Sequence, residues 1–146
     1  MNITIPDEIA AEVEQLASTT GQTAENLMQQ MISEGIKMLR VPGIVFADGA
    51  TGRRARIAGT GIEVFEVIYA YEAFNHDKAK VKQDLSQLEM FQIDAAVAYY
   101  EAYPEEISFH LKSDEQAQAE MEALWAEIPQ TSPNWHWRRR VGTSSL

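Results

Sequence analysis

The stretch VPGIVFADGATGRRARIAGTGIEV, residues 41–64, decides how this chain folds. Ile44, Val45 and Phe46 form a short apolar run. Asp48-Gly49 follows as a turn signal, and Gly52 adds a second flexible point. Arg53 to Ile57 is the right length to pair back on the first run. Gly59-Thr60-Gly61 closes this β-unit and puts Thr60 where it can cap a helix. The expectation is a small antiparallel β-hairpin that feeds a set of helices.

Downstream, Val64, Phe65, Ile68 and Tyr71 keep helical spacing between Ile62 and Phe74. Asn75-His76-Asp77 breaks the pattern, and Lys78 to Leu85 reads as a short helix. Ser86-Gln87-Leu88-Glu89 has the form of a capping box. The helix it opens places Leu88, Phe91, Ala95, Tyr99 and Ala102 on one expected face, with Gln87, Glu89, Gln92, Asp94 and Glu101 turned to solvent. Tyr103-Pro104 marks a boundary, and Pro104 suits a first helical position. From Glu105 a long acidic helix is expected to about Glu127, with Ala117, Met121, Leu124 and Trp125 as its stripe, before Pro129 ends it.

Upstream, Met1-Asn2-Ile3-Thr4-Ile5 alternates polar and apolar, a strand signal that Pro6 stops. Ile9, Val13 and Leu16 mark a helix face that Thr20-Gly21 ends. Thr23 then caps a second helix whose expected buried side is Leu27, Met28, Met31, Ile32 and Leu39. A five-residue strand cannot stand alone. The economical partner is the same strand of a second copy, which makes Ile3, Ile5, Leu27 and Met31 the expected dimer interface.

Two resemblances follow from these residues. The run ITIPDEIAAEVEQLASTTGQTAENL in residues 3–27 resembles a ribbon-helix-helix domain of the Arc/CopG type. That resemblance implies a homodimer through the N-terminal ribbon, with Asn2 and Thr4 facing base edges and the helix start at Thr23 facing a phosphate. The segments GTGIEV and AAVAYYEAYPEEI resemble the family catalogued as domain of unknown function 433, which is grouped with helix-turn-helix folds and often occurs in antitoxins. The usual opening of that family is replaced here by GRRARIAGTGIEV.

Charge sharpens the picture. The formal net charge is −10: −4 over residues 1–40, −1 over 41–75, −8 over 76–127 and +3 over 128–146. An acidic body disfavours operator DNA, and no Lys or Arg stands beside Asn2, Thr4 or Thr23. A third helix presenting Gln87, Glu89, Asp94 and Glu101 is likewise poorly suited to phosphate, so protein contact is the better use of a trihelical unit. Arg53, Arg54 and Arg56 have an anion among their conceivable partners, but at alternating strand positions Arg54 and Arg56 are expected to lie on a solvated face or to pair with nearby acids.

The segment TSPNWHWRRRVGTSSL ends the chain. Trp and Arg dominate binding hot spots. Toxins of the PIN ribonuclease type, which partner antitoxins of the resembled kind, hold a magnesium ion in a carboxylate cluster. An Arg fork matches carboxylates and carries a permanent positive charge. Trp135, Trp137, Arg138, Arg139 and Arg140 are therefore the expected toxin-binding residues. The competing expectation is that they fold back on the acidic helices.

No enzyme is expected. His76, His110 and His136 show no metal-ligand spacing, there is no Cys, and no nucleophile elbow or phosphate-binding loop is present. The sequence accordingly implies no catalytic residue, metal or cofactor. With no apolar run near ~20 residues, no membrane span is expected, and a cytoplasmic protein is the default.

The expected architecture is mainly α with a short N-terminal β-ribbon strand: a ribbon-helix-helix dimerisation arm (1–40), a β-hairpin plus trihelical helix-turn-helix-like domain (41–107), a C-terminal helix (108–128) and a Trp/Arg tail (129–146). The expected function is that of an antitoxin that neutralises a nuclease toxin and autorepresses its operon. The alternative is a stand-alone homo-oligomeric regulator or assembly protein.

Overall fold

A computed structural model describes residues 1–127. Its elements run α1 (Asp7–Thr20), α2 (Ala24–Arg40), β1 (Ile44–Gly49), β2 (Gly52–Ile57), α3 (Val64–Ala73), α4 (Lys78–Asp84), α5 (Met90–Ala102) and α6 (Pro104–Glu127). Met1–Ile107 forms one compact unit, and a second begins at Ser108, within α6. The Trp/Arg tail lies outside the described residues.

The fold is mainly helical, with one two-stranded antiparallel hairpin placed after two N-terminal helices. The expected N-terminal strand is corrected here. Residues 1–6 carry no strand and pair with neither strand of the hairpin, and a run this short does not persist as a strand unpaired.

The β-hairpin forms where residues 44–57 indicate. Ile44 pairs with Ile57, Phe46 with Ala55 and Gly49 with Gly52, leaving Ala50-Thr51 as a two-residue loop. The turn is thus two residues later than the Asp48-Gly49 signal. Gly49 is a strand residue, and a β-carbon there would come within 2.9 Å of the Arg56 guanidinium. Gly52, at φ 109°, supplies the backbone freedom the turn uses.

Caps fix the helix starts. Thr23 accepts the Asn26 N–H at 3.1 Å and begins α2, as its position suggests. Thr60 does not cap α3. It accepts the Ile62 N–H at 3.1 Å and tightens the loop, while Glu63 and Glu66 make the capping box. Likewise the box that opens α5 is Glu89 with Gln92, three residues beyond the Ser86 pattern. Carboxylate and amide side chains perform the reciprocal bonding that Ser or Thr more often starts.

The core sits between the β-hairpin and α3–α5. Ile57, Val64, Val67, Ile68, Val81, Leu88, Ile93, Ala96 and Tyr99 are all shut off from solvent. On α5 the buried stripe starts at Ile93, so Phe91, in the first turn, points outward, contrary to the expected face. Small residues permit close approach: a β-carbon on Gly43 would meet Ala95 at only 3.6 Å. No helix among the described residues is long and apolar enough to cross a membrane.

Candidate functional site

The arm is the first candidate. Its helices enclose a small core of Val13, Ala17 and Leu27, with Ala24 and Met28 partly buried against it. Leu27, expected at a dimer interface, is thereby covered within its own chain. The other apolar side chains remain outside. Ile9 and Leu16 are exposed on α1, and Met31, Ile32, Ile36 and Leu39 on α2, with Leu39 85 % exposed. Ile32, Ile36 and Leu39 follow i, i+4, i+7 and share one stripe. Fully covering a side chain of this size is worth roughly 1.5–3 kcal/mol. A stripe of them left in water is the mark of an interaction face. Ile3 and Ile5 are exposed as well, at 72 % and 36 %.

Asn2 and Thr4 are exposed, and Thr23 is engaged as a cap. No basic side chain precedes Lys37 to draw phosphate toward them. Lys37 itself is bonded to Glu106 at 3.1 Å and lies over the rings of Phe46 and Tyr103, at 5.7 and 5.2 Å. Tyr99 donates its hydroxyl to the other oxygen of Glu106. Burial, and then this bond, hold the Tyr99 phenol well above its usual pKa. At the other side of the junction Arg53 grips Glu34 through two nitrogens, at 2.5 and 2.9 Å. The arm is therefore clasped to the hairpin and to the first turn of α6.

The arginine cluster on β2 is the second candidate. Arg54 is 6 % exposed, stacks at 4.9 Å on the Phe65 ring and lies 3.5 Å from Glu63; Arg56 reaches the same carboxylate at 3.8 Å. A bridge between Arg56 and Glu63 brings that acid alongside the strand. All three arginines pair with acids, and a solvated face, the other expectation for Arg54 and Arg56, does not hold for the buried Arg54. The burial of Arg54 was not legible, because strand alternation alone does not say that Glu63 and Phe65, beyond the hairpin, come alongside it.

A third convergence lies where α3 ends. The Asn75 N–H bonds to the Glu72 carbonyl at 3.1 Å and the His76 N–H to the Tyr71 carbonyl at 2.8 Å, the paired bonds of a Schellman motif. Asn75 and His76 take φ of 52° and 68°, a left-handed conformation that costs a residue with a β-carbon roughly 1–2 kcal/mol. The motif folds the His76 ring flat onto Tyr71, with centroids 4.4 Å apart and planes 5° apart. Nε2 of His76 meets Glu72 at 3.1 Å. The sequence shows only a helix break here; an Asn just past an apolar run, where αL caps occur, is the signal that could have found it.

Among the described residues no group of three or more His, Cys, Asp or Glu side chains is placed to hold a metal ion. Trp135, Trp137, Arg138, Arg139 and Arg140 lie outside the described residues. No family model, curated protein or solved structure matches this chain. The ribbon-helix-helix and antitoxin resemblances therefore rest on the quoted residues alone.

Proposed function

We propose that this chain is an antitoxin-like adaptor that dimerises through its N-terminal arm and binds a nuclease toxin of the PIN type through its C-terminal region. In the dimer, Asn2–Ile5 of two copies pair as an antiparallel ribbon, and the exposed stripe of α2 is covered by the second copy. The β-hairpin and α3–α5 form the helix-turn-helix-like body. Trp135 and Trp137 anchor the toxin contact, and Arg138, Arg139 or Arg140 enters its carboxylate cluster. Operator binding through Asn2, Thr4 and Thr23 is a secondary role, weakened by the acidic surroundings.

The observation that carries the reading is the apolar stripe Ile32, Ile36 and Leu39, which one chain leaves uncovered. The antitoxin assignment rests in addition on the residues that resemble those two families. The test is co-purification with the product of the adjacent open reading frame, using the full chain and a version ending at Ile128. Capture by the full chain and loss on truncation is the expected result. Capture by both discards the tail contact. A clean homo-oligomer with no captured nuclease selects the self-assembling regulator instead.

A further inference from the structure

Between the C-terminal end of α3 and the facing turn of α5 lies a cleft of about 220 Å³, lined by Tyr71, Glu72, His76, Val97, Tyr100 and Glu101. Its size is below the ~300–1,000 Å³ usual for cofactor and drug-sized ligands, so it suits a single head group. Its chemistry is one-sided. Three of the six lining residues are aromatic rings, two are carboxylates, and none is Lys or Arg. Glu72 is bonded to His76, but Glu101 accepts no hydrogen bond among the described residues. Lys78 is drawn instead to Asp94, at 2.8 Å. That bond is the main cause that raises the Lys78 pKa, with Glu101 contributing only weakly.

This lining discriminates among ligands. An anion is repelled by two carboxylates. A metal ion finds no ligand set, since Glu72, His76 and Glu101 do not converge as one. An ammonium is compact and strongly hydrated, is drawn to ring faces as a point charge, and cannot stack or fork onto a carboxylate. A guanidinium is planar, weakly hydrated, stacks on aromatic faces and forks onto carboxylates. The parallel His76–Tyr71 pair is a flat wall built by the backbone itself, through the left-handed turn at Asn75 and His76.

We propose that this cleft receives a guanidinium group, held against the aromatic side chains of Tyr71, His76 and Tyr100 and paired with Glu101. The assignment concerns the body alone and stands whether or not the arm dimerises or a toxin is bound.

The test is an NMR titration of the full, ¹⁵N-labelled chain with N-acetyl-arginine amide. Its comparators are N-acetyl-lysine amide, the uncharged isostere N-acetyl-citrulline amide, and ethylguanidine, a free guanidinium of the same single charge. Saturable shifts confined to Tyr71, His76, Tyr100 and Glu101 are expected with the arginine probe. Citrulline should bind roughly tenfold more weakly, and Glu101→Gln should weaken the arginine probe by a similar factor while leaving other resonances in place. Absence of saturable shifts overturns the site. Equal binding of citrulline overturns the charge argument, and equal binding of lysine overturns the guanidinium preference. Tighter binding of capped arginine than of ethylguanidine assigns the group to an arginine side chain, and the reverse assigns it to a free guanidinium compound.

Discussion

The arm and the body solve the problem of burying apolar surface in opposite ways. The body closes on itself: the β-hairpin and three short helices hide Ile57, Val67, Ile68, Leu88, Ile93 and Tyr99 completely. The arm, with α1 and α2 of 14 and 17 residues, fully hides only Val13, Ala17 and Leu27. Two helices meet along one seam, and each keeps a second side that only a further element can cover. The helices α3 and α5 are apolar over most of their length and α1 and α2 over less than half, so the difference lies in composition as well as in the number of packed layers. The body has the geometry of a self-sufficient fold, and the arm that of half of one.

The comparison is open to direct attack. The largest effect is expected from Ile93→Ala, which empties a fully buried site in the body and should cost about 2–5 kcal/mol in denaturant unfolding. Leu27→Ala in the arm should cost less at high dilution, because its surroundings are thin. An equal cost there would break the contrast. Next, Ile36→Glu should abolish dimerisation in light scattering, a change of roughly 2 kcal/mol or more in association, while the circular dichroism of the body is kept. A monomeric parent chain would remove the need for a covered stripe.

Tyr99→Phe removes the hydroxyl bond to Glu106 at the junction of arm and body and should cost about 1 kcal/mol near neutral pH. The folded state raises the Tyr99 pKa above the ordinary 10.0, so the contribution is intact below about pH 10 and is lost as the pH climbs beyond it. Tyrosinate absorbance followed beside circular dichroism should show unfolding with ionisation in the parent and a shallower alkaline loss in the variant. The smallest effect belongs to Lys78→Met. Its ion pair with Asp94 is exposed on both sides and should be worth no more than about 0.5 kcal/mol.

The hairpin, the existence of six helices and the starts of α2 and α6 were legible because they depend on local signals: apolar runs, Thr23, Gly21 and Pro104. The phase of α5 was not. Phe91 is the largest apolar residue near its start, yet Ile93 is the residue that meets the core, and only the facing elements decide which side of a helix is inside. The same limit hid the clasp of Lys37, Tyr99 and Glu106, whose members lie up to 69 residues apart. The strand pattern at Asn2–Ile5 is real as a pattern, but its pairing partner cannot be written in a single copy. Of the residues that line the candidate cleft, the sequence reading used Tyr71 as part of a helix face, His76 as part of a helix break and Glu101 as a solvent-facing acid, and no local signal joined them.

The clasp at Glu106 has a mechanical consequence. Lys37 and Arg53 tie α2 to the body through two ion pairs, which restrains the swing that a tethered anchor would have. Two arms pairing would therefore hold two bodies at a set spacing, as the jaws of a caliper are held by its beam. A partner carrying two docking points at that spacing would bind with the avidity of a bivalent ligand, and one with a different spacing would engage a single jaw.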